Sequence, residues 1–132
     1  MNLTIELPGG RLNIRCCAII ENPAGEILTS IGKSGLASLP GGRVELGEDS
    51  HDAVRREIFE ETGLYLTEIE QVRVIENFYG NTHEILFLYR GTPDSYDLNS
   101  GAVDFEEQKL AWVPKENLVL KPDILNDIIK GA

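Results

Sequence analysis

The chain has 132 residues, 42% hydrophobic and 26% charged, proportions that suit one globular domain with a sizeable core. Its net charge of −10 argues against a nucleic-acid polymer as ligand, because affinity there comes from many Lys and Arg contacts to phosphate. A small anion delivered with a divalent cation stays open, whereas no apolar run is long enough to span a membrane.

The N-terminal MNLTIELPGG lacks the basic and apolar regions of a secretory signal. Leu12–Ile20 and Glu26–Ile31 are expected to be strands joined by the turn Asn22-Pro23-Ala24-Gly25. Cys16 and Cys17 are neighbours on the first of these, so their side chains point to opposite faces and do not staple the fold. That usage fits a reducing, cytoplasmic compartment. Ile31–Ser38 has the Gly and Ser content of a loop. A helix is expected from Asp49 to Thr62: Asp49 can cap it, Asp52 sits at capping-box spacing, and Gly63 ends it. Two strands, Gln71–Tyr79 and His83–Arg90, flank a turn at Gly80-Asn81. Gly91–Gly101 is a polar loop, and Lys109–Pro114 a last short strand carrying Trp112. From Pro122 to Lys130 the apolar residues Ile124, Leu125, Ile128 and Ile129 fall at helical spacing. With no linker between them, these elements predict one mixed α/β domain over residues 1–132, a sheet with a helix on each side.

LPGGR occurs at Leu7–Arg11 and again at Leu39–Arg43. A strand follows the first copy and an acid-rich helix the second, so the copies do not head equivalent units. Other motifs fail on spacing. Gly32-Lys33-Ser34 lacks the glycine that a phosphate-binding loop requires five residues before its Gly-Lys pair, where Ile27 stands. Neither Asp94 nor Asp97 starts a calcium loop with oxygen ligands at the right offsets, and the Cys and His residues lack zinc-site spacing.

The helix is where the chemistry concentrates. Glu57, Glu60 and Glu61 lie at i, i+3 and i+4, within an arc of about 100° on one face. Val54 and Ile58 border that arc, so the carboxylates flank the buried seam. At roughly 6 Å and an effective dielectric of about 20, each pair repels by up to roughly 3 kcal/mol before screening. With Arg55 and Arg56 expected elsewhere on the helix, the cluster calls for an external counter-charge, and a hard divalent cation suits an all-oxygen site.

Gly42, five residues, Glu48, seven residues, then Arg56-Glu57-Ile58-Phe59-Glu60-Glu61-Thr62-Gly63-Leu64 matches every fixed position of the Nudix box. The chain therefore resembles the Nudix hydrolases, and Leu39-Pro40-Gly41, Trp112-Val113-Pro114 and the C-terminal helix extend the likeness. The resemblance implies an α/β/α sandwich with the catalytic helix on one side of a mixed sheet and the C-terminal helix on the other. It implies Mg²⁺- or Mn²⁺-dependent cleavage of a pyrophosphate in a nucleoside diphosphate linked to another group. The substrate would be a nucleoside triphosphate, a nucleotide sugar or ADP-ribose, or a dinucleoside polyphosphate. Ala37, and the lack of a proline within Phe78-Tyr79-Gly80-Asn81-Thr82, depart from the ADP-ribose pattern. By position, Glu57, Glu60, Glu61 and the Gly42 carbonyl would bind metal, and Arg56 would pair with Glu48. Glu106 or Glu107 would be a late-loop base or extra metal ligand, while Arg15, Phe78 and Tyr79 would contact substrate. Many members are dimers, which makes a homodimer the assembly to test for. The rival reading is a nucleotide-sensing module that kept the fold without turnover.

Overall fold

The computed structural model describes residues 1–98 and 108–131. Its elements are β1 (Thr4–Leu7), β2 (Gly10–Ile19), β3 (Glu26–Gly32), β4 (Ala37–Ser38), β5 (Gly41–Arg43), α1 (Ser50–Thr62), β6 (Leu66–Tyr79), β7 (Thr82–Pro93), β8 (Gln108–Pro114) and α2 (Ile124–Gly131).

β2 organises the molecule. It pairs parallel with β7 along nearly its whole length, from Arg11↔Thr82 to Ile19↔Arg90. Its other edge is shared, β1 taking Gly10–Asn13 and β5 taking Arg15–Cys17. With both edges occupied, β3 cannot continue as a hairpin partner beyond the turn, where Leu28 N–H still bonds Ile20 C=O. It joins β4 and β8 in a second, three-stranded sheet instead. The expected single sheet is thus two, a five-stranded mixed sheet and a three-stranded antiparallel one.

Alternation along β2 sorts the core. Cys16, Ala18 and Ile20 face α1, packing with Ala53, Val54 and Ile58. Cys17 and Ile19 face α2, packing with Leu125 and Ile129. The two cysteines therefore point to opposite faces, and burial pushes both thiols up to about 12. Each fully buried Ile or Leu removed from water contributes about 1.5–3 kcal/mol, so this seam fixes α1 firmly against the sheet.

Three stretches differ from expectation. β6 begins at Leu66, five residues early, because register shifts at Leu66/Glu68 and Gln71/Arg73 break the alternation that marks a strand in sequence. β7 runs through Gly91 to Pro93, where a polar loop was expected. Within the expected loop Ile31–Ser38, β3 extends to Gly32 and Ala37–Ser38 forms β4. The first LPGGR is the β1–β2 hairpin; the second carries β5 into the site.

Candidate active site

The helix start and stop are set by local chemistry. The Asp49 carboxylate accepts from Asp52 N–H at 2.8 Å and caps α1. Gly63 closes it with φ 77°, a left-handed conformation that glycine adopts without steric cost. Between these caps, Val54 and Ile58 are fully buried, which fixes the rotation of the helix. The three acids then grade across the arc: Glu60 is exposed, Glu57 half-buried and Glu61 buried at 8% exposure.

β5 meets this arc from the sheet side. Gly41 N–H donates to Glu61 Oε2 at 3.0 Å. A Cβ on Gly42 would lie 2.3 Å from Glu57 Oε2, so only glycine lets that carboxylate approach the strand backbone. The Gly42 carbonyl accepts from the Cys16 thiol at 3.6 Å. Burial raises the Glu61 carboxyl to about 7, and the Glu57 charge adds to that, against the opposing pull of Gly41 N–H, Arg15 and Ser30.

Arg56 braces the loop against the helix. Its Nε and Nη2 donate to Glu48 Oε2 and Oε1 at 2.8 and 2.9 Å, a bidentate pair, and Nη2 also donates to Arg43 C=O. This pairing holds the Glu48 carboxyl below its usual range and the Arg56 guanidinium above its own. The expectation that Arg56 lies apart from the acid arc is corrected here. Its Nη1 donates to Glu57 Oε1 at 2.8 Å and Glu60 Oε2 at 3.3 Å, because the long side chain folds back along the helix. The chain therefore neutralises part of its own cluster, and Glu61 lies outside that reach.

Arg15 stands on the α2 face of β2 and, with Tyr79 and the buried Glu84, lines a cavity of about 510 Å³. The cavity is completed by β4, by Gln108 and by the segment Lys121–Asp123. Gln108 Oε1 accepts from Ser30 Oγ at 3.0 Å, and Ser30 in turn acts on Glu61, so cavity and carboxylates adjoin. Phe78 does not share this cavity. Adjacent strand residues face opposite sides, and its ring packs on His83 at 4.4 Å between centroids. Glu106 and Glu107 lie outside the described residues. Sequence reasoning missed Ser30, the Gly41 amide and Glu84; the register of β2 with β5 and β7 brings the last two to the site, and β3 of the second sheet brings Ser30.

A second acidic group, Asp49, His51 and Asp52, has ligand atoms within 4.8 Å of one another at the exposed start of α1. Asp49 there is already engaged as the helix cap, and this group stands apart from the acids that face β5.

That fold, with its helix of carboxylates against β5, matches a known family of hydrolases. The NUDIX domain family model matches residues 11–129, and the chain belongs to that family as a Nudix hydrolase. It is 35% identical over 117 residues to the nucleoside triphosphatase NudI of Escherichia coli O17:K52:H18 (strain UMN026 / ExPEC), covering 78% of this chain and 82% of that protein. The structure of a MutT NUDIX hydrolase from Burkholderia pseudomallei superposes with a TM-score of 0.72 at 25% identity, over 89% of this chain and 95% of that one. The MutT protein of Methanosarcina mazei Go1 shares the fold, with a TM-score of 0.74 at 24% identity over 96% and 95% of the two chains. Among the described residues no helix is long and apolar enough to cross a membrane.

Proposed function

We propose that this chain is a divalent-cation-dependent pyrophosphohydrolase whose substrate is a nucleotide-type diphosphate, with a nucleoside triphosphate the first substrate to test. The observation that carries this reading is the buried Glu61, fixed by Gly41 N–H beside the Glu57 carboxylate. Two neighbouring carboxylates withdrawn from water are costly unless a cation joins them.

The donor set fits Mg²⁺ or Mn²⁺. Glu57, Glu60 and Glu61 supply hard carboxylate oxygens, and the Gly42 carbonyl lies on the strand that faces them. When bound, the cation would offset phosphate charge and lower the pKa of a water for in-line attack at phosphorus. The protein's own part is positional. Arg56 clamps Glu48 and orients Glu57, so the loop after β5 keeps its distance from the helix. Gly42 leaves room for the Glu57 carboxylate. Glu57, central in the arc, would accept the proton of the attacking water. Arg15 and Tyr79 line the adjoining cavity, which has room for the nucleoside part of the substrate.

The test is a panel of nucleoside triphosphates, nucleotide sugars, ADP-ribose and dinucleoside polyphosphates, assayed for phosphate or pyrophosphate release with Mg²⁺ and with chelator. Mg²⁺-dependent release from at least one of them is expected. Release unaffected by chelator would overturn the metal-dependent reading.

A further inference from the structure

We propose that Glu84 is the residue that selects the base, and that it selects guanine. This rests on the reading of the 510 Å³ cavity as the nucleoside pocket. β7 pairs with β2 and β6 so that Asn13, Glu84 and Asn77 form one row across three strands. Glu84 is 3% exposed and lines the cavity. Its described contacts both fall on one oxygen. Tyr79 O–H donates to Oε2 at 3.2 Å, and Arg15 Nη1 lies 3.9 Å from the same atom. Oε1 makes no hydrogen bond or ion pair among the described residues. Beside it Asn13, 2% exposed, leaves Oδ1 without a hydrogen-bond partner while Nδ2 donates to Tyr79. Glu84 thus offers the cavity an oxygen that no protein donor occupies, next to an Asn13 oxygen that also lacks a donor, and a ligand can supply donors there.

A carboxylate accepts only, and its two oxygens together take two parallel N–H donors. Guanine offers two on adjacent atoms, N1–H and N2–H. Adenine and cytosine place a ring-nitrogen acceptor beside the amino group, and uracil and thymine flank N3–H with two carbonyls. In each of those, one carboxylate oxygen would face another acceptor. Arg15 lines the same cavity as a donor for guanine O6.

The experiment compares GTP with inosine triphosphate, which lacks only the 2-amino group, and adds ATP and UTP. Wild-type kcat/KM should favour GTP over the inosine analogue by roughly 10–100-fold, the loss of one hydrogen bond to a charged acceptor. Glu84→Gln should bring that ratio close to one, while Tyr79→Phe, which keeps the carboxylate, should preserve it. Calorimetric titration of wild-type protein with GMP and IMP reads the same discrimination without turnover and without any variant. Equal affinity for GMP and IMP, or no binding of either, overturns the assignment. So does a GTP preference that survives Glu84→Gln. GMP favoured over IMP in a protein that hydrolyses no nucleotide would sink the hydrolytic reading and leave this one standing.

Discussion

Glu61 Oε2 accepts a hydrogen bond from Gly41 N–H at 3.0 Å, and this contact joins the end of α1 to the start of β5. Burial of the side chain raises its carboxyl from 4.5 to about 7, and the Gly41 N–H bond opposes that rise without cancelling it. A group that holds its proton more tightly when folded makes folding take up a proton. Apo stability should therefore fall as pH rises from about 4.5 to about 7 and level off above. Urea unfolding in chelator at several pH values should show that fall in wild type and not in Glu61→Gln, a divergence of about 1–3 kcal/mol by pH 8. Glu48, held low by Arg56, loses its contribution only as pH drops below its ordinary 4.5, so the two windows separate. Parallel wild-type and mutant profiles would show that Glu61 is not strained by burial.

Divalent cation should reverse the same penalty. A ligand that binds only the folded state at about 100 times its Kd stabilises by about 2.7 kcal/mol. For a domain of this length that is a rise in Tm of roughly 6–15 °C. Differential scanning calorimetry in millimolar Mg²⁺ against chelator measures it directly. Identical melting temperatures would mean that the arc of carboxylates holds no metal.

Glu48→Gln separates bracing from chemistry. The bidentate pair with Arg56 is largely withdrawn from solvent, with exposures of 18% for Glu48 and 27% for Arg56. Losing its charge should cost about 1–2 kcal/mol and loosen the loop that presents Gly42. Activity should drop alongside stability. A mutant with wild-type unfolding midpoint and lowered kcat would move Glu48 from brace to participant in the reaction.

Gly42→Ala tests the approach of strand to helix. The added Cβ would lie 2.3 Å from Glu57 Oε2, and the flexible carboxylate, not the backbone, must give way. Stability should change little, within about 1 kcal/mol, because repulsion near the arc is relieved as the side chain leaves. Turnover at saturating Mg²⁺ should fall at least tenfold, since a displacement of about 1 Å at a positioned group costs that much or more. Wild-type turnover would show that Glu57 need not touch β5.

What the sequence disclosed and what it withheld follow from the range of the interactions. α1 was legible end to end, because Asp49, Gly63 and the Val54/Ile58 seam act within a few residues of one another. The acid arc was legible for the same reason. Which acid is buried was not, since Glu61 owes its environment to Gly41 and Ser30, twenty and more residues away and on two different sheets. Arg56 misled because side-chain length, unlike backbone spacing, lets it reach Glu48 and Glu60 together. Glu84, suggestive beside His83 in the sequence, could be given no role from it; its burial depends on the parallel register of β7 with β2.

For the proposed reaction the proton acceptor to test is Glu57 in the arc, against Glu106 or Glu107, which lie outside the described residues. Glu57 lies between exposed Glu60 and buried Glu61, with Oε1 bonded to Arg56 and Oε2 turned toward Gly42. That placement lets one carboxylate touch a cation and still face an attacking water. Arg56 also orients it, through Nη1 to Oε1 at 2.8 Å. Removing a positioned acid–base group typically costs about 10²–10⁴ in rate. Glu57→Gln keeps the size and one oxygen, so kcat should fall by that factor while KM changes far less. Glu106→Gln and Glu107→Gln, measured in parallel at saturating Mg²⁺, should lose less. A Glu57→Gln enzyme with near wild-type kcat beside an inactive Glu106→Gln or Glu107→Gln enzyme would move the base to that residue and leave Glu57 as a metal ligand alone.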